Sequence, residues 1–198
     1  MKKIIAASNN KNKIKEIKQI LSDTGYEILS LADAGIDVDP EETSNTFEGN
    51  ALIKARAASE FTNYMVLADD SGLEVDCLEG LPGVKSKRYA GENASDDDNN
   101  RLLLKNLGQI DSDNFSARFK CVIAVVSPDG TEETFYGSCE GEIVNEPIGD
   151  KGFGYDPIFY ITDYKRTMAQ LDDNEKNKIS HRGAALEKVR DYLKELNK

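Results

Sequence analysis

Two adjacent carboxylates, Asp69 and Asp70, close a short apolar run, Met65-Val66-Leu67-Ala68, and are followed by Ser71 and Gly72. The run reads as a buried strand, and Asp69-Asp70-Ser71-Gly72 as the turn that leaves it. Acids at the carboxyl end of a strand in an open α/β sheet stand where such sheets bind ligands. Together with Glu41 or Glu42 they can hold Mg²⁺, which prefers oxygen ligands and often takes one or two carboxylates plus phosphate oxygens. Taken alone the four residues are an ordinary polar turn, so their chemistry depends on what the rest of the chain brings to them.

A second candidate is Ser8-Asn9-Asn10-Lys11-Asn12-Lys13, between an apolar strand and a helical pattern. Unpaired backbone N–H groups and the helix dipole favour an anion there, and a phosphate suits it. Asparagines tolerate left-handed backbone angles, so the loop can curl as a glycine-rich one does, with Lys13 as a cation at its rim. This is not a Walker sequence, and an Asn-rich turn with a helix cap accounts for it equally. A third is Gly152-Phe153-Gly154-Tyr155-Asp156-Pro157, where glycines let backbone approach closely and Phe153 offers a flat face to a planar ring. Asp156, Lys176, His181 and Arg182 supply donors and acceptors that can read the edge of a base.

The elements that must position these residues follow from periodicity. Lys3 to Ala7 reads as a first strand; Ile14, Ile17, Ile20 and Leu21 recur at helical spacing until Gly25; Glu27 to Leu31 reads as a second strand. Residues 32–45 are acidic and irregular, with Pro40 blocking helix. Thr46 to Phe61 is helical, with Phe47, Ala51, Ala55 and Ala58 inward and Lys54 beside that face, one turn after Asn50. Ser95 caps a helix from Asp96 to Leu107, whose acidic start suits the dipole. Residues 117–127 and 131–138 form a hairpin about Pro128-Asp129-Gly130. A last helix places Leu186, Val189, Leu193 and Leu196 on one face. Early strand and helix alternation favours parallel pairing, so the hairpin makes the sheet mixed.

At 198 residues, 39% hydrophobic and 31% charged, the chain reads as soluble and globular, with one large core or two lobes sharing a sheet. A formal charge of -11 argues against nonspecific nucleic-acid or anionic-membrane binding. Cys77, Cys121 and Cys139 lack Cys-x-x-Cys spacing and read as reduced thiols in a cytoplasm. No run is long enough to cross a bilayer, and the apolar start is too short for a signal peptide.

These motifs in order resemble the inosine triphosphate pyrophosphatase family, the XTP/dITP diphosphatases. The resemblance spans nearly the whole chain and rests on Ser8-x-Asn10-x-x-Lys13, on Thr46-Phe47 through Asn50-Ala51 to Lys54-Ala55, on Ala68 to Leu73, and on Leu81-Pro82-Gly83. It continues through Gly152 to Pro157 and through Lys176 with Ser180-His181-Arg182-Gly183. It implies Mg²⁺-dependent hydrolysis of ITP, dITP and XTP to monophosphate and pyrophosphate, cleansing the nucleotide pool. It implies a homodimer of elongated α/β subunits, each a single domain of two lobes with helices around a mixed sheet and a central substrate cleft. Carried over residue by residue, Ser8, Asn9, Asn10, Lys11, Asn12, Lys13 and Lys54 hold the triphosphate. Glu41 and Asp70 hold the metal, and Ser71 touches substrate. Phe153, Gly154, Tyr155, Asp156, Lys176, His181 and Arg182 enclose the base. Asn9 and Asn12 stand where glycine is frequent. In the mechanism expected, Asp70 activates a water that attacks the α-phosphorus, Asp69 supports the metal, and Lys13 stabilises the leaving pyrophosphate. The alternatives are a pyrophosphatase for modified pyrimidine nucleotides and a nucleotide-binding regulatory protein without turnover.

Overall fold

A computed structural model describes residues 2–112 and 115–197. In chain order its elements are β1 (Lys2–Ala6), α1 (Lys11–Ile20), β2 (Tyr26–Ser30), α2 (Phe47–Ser59), β3 (Met65–Val75), α3 (Asp96–Leu107), β4 (Ser116–Val126), β5 (Glu132–Ile143), β6 (Phe159–Ile161), β7 (Arg166–Thr167), α4 (Asp173–Ile179) and α5 (His181–Glu195), with short 3-10 turns between. The strands form one seven-stranded sheet in the order β2-β1-β3-β4-β5-β6-β7. β1 pairs in parallel with β2 and β3, while β6 pairs antiparallel with β5 and β7, so the α/β sheet is mixed as expected. No helix among the described residues is long and apolar enough to cross a membrane.

The chain divides into two compact units. The first comprises Met1–Asp70, Cys121–Gly137 and His181–Lys198; the second comprises Ser71–Lys120 and Ser138–Ser180. In the first unit, the alternation of strand side chains sorts residues onto two faces. Ile4, Ala6, Leu67, Cys121, Ile123 and Val125 pack with Ile17 of α1 and with Leu186, Val189 and Leu193 of α5. Ile5, Ala7, Val66, Ala68, Ala124 and Val126 pack with Ala51, Ala55 and Ala58 of α2. Alanine on that inner face of α2 lets the helix lie close to the sheet. Thr46 caps it by accepting from the Gly49 N–H. The second unit has its own core, in which Leu73, Val75, Leu103, Leu107, Phe119, Ile158, Phe159 and Met168 meet, with the Phe119 and Phe159 ring centroids 4.5 Å apart. Its α3 carries a capping box in which Ser95 and Asp98 satisfy each other's backbone N–H groups.

Two expectations are corrected here. Residues 69–72 are not a turn: β3 runs unbroken for 11 residues through both acids. The strand survives because each carboxylate meets a cation, and because Leu73 and Val75 carry the apolar alternation onward into the second core. Leu196 does not join the apolar face of α5; the helix ends at Glu195 and Leu196 is exposed.

One glycine is fixed by close approach. At Gly137 of β5 an added Cβ would overlap the His181 carbonyl oxygen and come within 2.6 Å of Ala185 N, at the first turn of α5. Backbone cannot yield as a side-chain tip can, so a Gly137→Ala protein should lose about 1–3 kcal/mol of stability, read as a lower urea midpoint at unchanged m. An unchanged midpoint would contradict this packing.

Candidate active site

The register of the parallel strands places the first cluster. Ala6 of β1 lies beside Leu67 of β3, and the Ala7 N–H donates to the Leu67 carbonyl at 2.7 Å. β1 ends there while β3 continues, so Asp69 and Asp70 extend past the carboxyl end of β1. Because they are neighbours on one strand, they point to opposite faces of the sheet.

Asp69 follows Leu67 onto the α1 and α5 face, where it is 1% exposed. Lys13 Nζ lies 3.1 Å from its Oδ1. Arg182 donates to its Oδ2 through Nε at 3.2 Å and Nη2 at 3.1 Å, and through Nη1 to Glu16 Oε2 at 2.6 Å. Burial pushes the Asp69 carboxyl up, but Lys13, Arg182 and Lys54 outweigh it and hold the group well below the usual carboxylate range. The Cys121 thiol, 3.8 Å from Asp69 Oδ2, is pushed up by burial and by that negative charge.

Asp70 follows Val66 and Ala68 onto the α2 face. Lys54 Nζ donates to its Oδ1 at 2.8 Å and to Glu42 Oε1 at 2.9 Å, and Asn50 Nδ2 reaches its Oδ2 at 3.4 Å. Asn50 and Lys54 are one helical turn apart on α2, and Asn50 Oδ1 also accepts from the Ser44 N–H, tying the irregular acidic segment to the helix. Burial raises the Asp70 carboxyl, and the nearby Lys54 charge does not reverse it. Lys54 itself is pushed down by burial and further up by Asp70, Asp69 and Glu42, ending above its ordinary value. Neighbouring acids are thus driven in opposite directions, Asp69 below and Asp70 above the ordinary carboxylate value.

These carboxylates bear on the implied metal. Among the described residues, no group of three or more Asp, Glu, His or Cys side chains could hold an ion unaided. Two hard oxygen donors, Glu42 and Asp70, nonetheless converge on the single Lys54 ammonium, which fits Mg²⁺ if phosphates and water complete its shell. The sequence left Glu41 and Glu42 open and the resemblance chose Glu41; Glu41 is exposed, and Glu42 is the residue on Lys54.

The segment from Ser8 to Lys13 differs from the expected curl. No asparagine in it has a positive φ; the non-glycine residues that do, among those described, are Glu79 and Lys165. Lys11, Asn12 and Lys13 already belong to α1, and extended Asn10 is its N-cap, accepting from the Asn12 N–H at 2.9 Å and the Lys13 N–H at 3.3 Å. The Asn10 carboxamide therefore occupies the donors an anion would use. The Asn10 N–H donates to Ser8 Oγ at 3.2 Å, and Asn9 reaches Asp39 at 3.5 Å.

The second cluster lies in the second unit. Asp156 Oδ2 accepts from the Phe153 N–H at 2.9 Å and from Lys176 Nζ at 2.6 Å, and that ammonium stands 4.5 Å from the Phe153 ring centroid. Tyr155 is buried, with its hydroxyl donating to the Ser86 carbonyl at 2.8 Å. Gly152 has φ +76, and a Cβ there would overlap Asp156 Oδ2, so glycine is required on both counts. Of the residues expected to read a base, the structure brings together Phe153, Gly154, Tyr155, Asp156 and Lys176. His181 and Arg182 open α5 in the first unit, where Arg182 is bound to Asp69 and Glu16. Ser71 is the first residue of the second unit, one step along β3 from Asp70. Sequence reasoning missed Glu16; the available signal was its place one turn after Lys13 in the same helix, beside Ile17.

A mixed sheet with paired acids and lysines past a strand end, and an aromatic loop carrying its own ion pair, defines an α/β protein equipped for phosphate and planar-ring chemistry. A sequence model of the Ham1 family matches residues 4–192, and the chain belongs to that family. It is 50% identical over 194 residues to the dITP/XTP pyrophosphatase of Desulforamulus reducens, covering 98% of this chain and 96% of the relative. Among solved structures, the Staphylococcus aureus Ham1 protein superposes with TM-score 0.88 at 46% identity, covering 100% of both chains. A HAM1 protein from Coxiella burnetii gives TM-score 0.90 at 44% identity, over 98% of this chain and 100% of the other.

Proposed function

We propose that this chain hydrolyses non-canonical purine nucleoside triphosphates, dITP, ITP and XTP, to the monophosphate and pyrophosphate in the presence of Mg²⁺, and so keeps deaminated purines out of the nucleotide pool. It is a hydrolase of the nucleoside triphosphate pyrophosphatase class. The observation that carries the reading is the pair of neighbouring acids on β3, Asp69 met by Lys13 and Arg182 on one face and Asp70 by Lys54 and Asn50 on the other, in a chain 50% identical to a dITP/XTP pyrophosphatase.

In this reading Asp70 accepts the proton of the water that attacks the α-phosphorus, while Asn50 and Lys54 hold its carboxylate in place. Lys13 and Lys54 contribute positive charge along the triphosphate, and Ser8 to Lys13 meet it through their side chains, the free N–H groups at the start of α1 being taken by the Asn10 cap. Glu42 and Asp70 would hold Mg²⁺, with Glu41 beside them; bound there, the ion would supply Lewis-acid charge for the developing pyrophosphate. Asp69 keeps Lys13 and Arg182 in position. Phe153, Gly154, Tyr155, Asp156 and Lys176 enclose the base, and the family resemblance assigns His181 and Arg182 to the base as well. Lys176 and Arg182 are donors only, which suits a 6-oxo purine and opposes the 6-amino group of ATP with another donor. The active form is a homodimer, the state implied by the family resemblance.

Pyrophosphate release from a panel of ITP, dITP, XTP, ATP and modified pyrimidine triphosphates, with and without Mg²⁺, tests the reading. Turnover should concentrate on the 6-oxo purines and require the metal. Turnover confined to pyrimidines, or binding without turnover, would replace it with one of the two alternatives.

A further inference from the structure

We propose that Asp96 and Asn100 of α3 are positioning residues for base recognition: one helical turn apart, they hold Gly154 by its N–H and its C=O and thereby fix the Phe153 ring. This rests on the reading of the Phe153 loop as the base-holding segment.

The Gly154 N–H donates to Asp96 Oδ2 at 2.6 Å, and Asn100 Nδ2 donates to the Gly154 carbonyl at 3.1 Å. Gly154 has φ +64, a left-handed angle that glycine adopts without strain, while a Cβ at that place would meet nothing within 4 Å. Conformation, not room, selects glycine, and the two α3 side chains hold that conformation. Asp156 takes the preceding N–H and Tyr155 is tied to Ser86, so three successive residues of an irregular segment are pinned. The anchor is firm: α3 is capped by its Ser95 and Asp98 box and buries Leu103 and Leu107 in the core.

Asn100 is itself informative. It is 4% exposed, and among the described residues its Oδ1 has no hydrogen-bond partner. Buried polar atoms are nearly always paired, so a fold needing only a filled volume there would do better with an apolar side chain. The amide is explained by its bond to Gly154. A shift of a stacking ring by an ångström is enough to weaken a bound base without altering the reacting groups.

The chemistry of the two bonds gives opposite rules for conservative change. Asp96 is an acceptor, so Asp96→Asn keeps its bond; Asn100 is a donor, so Asn100→Asp loses its bond and sets a carboxylate against a carbonyl. Asp96 is exposed, so Asp96→Ala leaves the core intact. The test measures kcat and KM for ITP and ATP in wild type, Asp96→Ala, Asp96→Asn, Asn100→Ala and Asn100→Asp, with urea midpoints alongside. Asp96→Ala, Asn100→Ala and Asn100→Asp should raise KM for ITP about five- to tenfold with kcat within about twofold, and narrow the ITP to ATP preference; Asp96→Asn should match wild type. Asp96→Ala with unchanged KM and unchanged preference overturns the inference, as does Asp96→Asn equal to Asp96→Ala. Wild type without ITP turnover instead overturns the functional reading, which keeps the two failures distinct.

Discussion

In an Asp70→Asn protein, turnover of ITP falls by about two orders of magnitude or more while the triphosphate still binds, the scale on which a positioned general base contributes. The carboxamide keeps the shape of the side chain and an oxygen for Lys54 to donate to, but it cannot take a proton. Lys54 also keeps Glu42 as a charged partner at 2.9 Å, so the ammonium is not stranded when Asp70 loses its charge. The reason Asp70 suits the role is its raised affinity for a proton, which burial supplies and Lys54 tempers. Asp69, one residue earlier, is held anionic by Lys13 and Arg182 and is the poorer base. A loss in kcat with little change in KM marks a group acting in the transition state, and pyrophosphate release with parallel nucleotide-binding isotherms measures both. Near-normal turnover in Asp70→Asn would remove Asp70 from the chemistry.

The sequence revealed α1, α2, α3, α5 and the hairpin because their signals are local, whereas the short α4 went unread. The inner alanines of α2 repeat at helical spacing, Ser95 stands at the start of α3, and Pro128-Asp129-Gly130 separates β4 from β5; each is found where the pattern puts it. The unbroken β3 was not legible, because two acids inside a strand are plausible only if cations meet them, and Asp69 is 113 residues from Arg182. That its two acids face opposite sides of the sheet was half legible. Strand alternation alone sends neighbouring side chains to opposite faces, but reading a turn there concealed it. The acidic start of α3 read as a dipole effect, and nothing near Asp96 in sequence pointed to Gly154, 58 residues away.

The buried ion cluster makes the second strong prediction. An Arg182→Ala protein should lose about 3–5 kcal/mol of stability, the usual consequence of breaking a buried ion pair, and here two acids lose a cation, although Lys13 stays beside Asp69. Arg182 is 1% exposed and bridges Asp69, 1% exposed, to Glu16, 8% exposed, so neither acid gains ready access to water when the guanidinium goes. The effect has a pH signature. Asp69 is depressed in the folded protein, so its contribution is complete above the unfolded carboxylate value of about 4 and is lost as pH falls below that toward the folded value. In Arg182→Ala burial is opposed by fewer cations and the folded Asp69 value rises, so the variant loses less on acidification than wild type does. Urea unfolding of the metal-free, nucleotide-free proteins should therefore show the widest gap between them near neutral pH and a narrowing gap below about pH 4. Adding Asp69→Asn to Arg182→Ala should recover part of the loss, because the buried charge is then gone. A gap under about 1 kcal/mol would assign the guanidinium little more than a surface pair is worth. A full-sized gap that stays constant with pH would place its energy in packing, and either result would separate Arg182 from the charge state of Asp69.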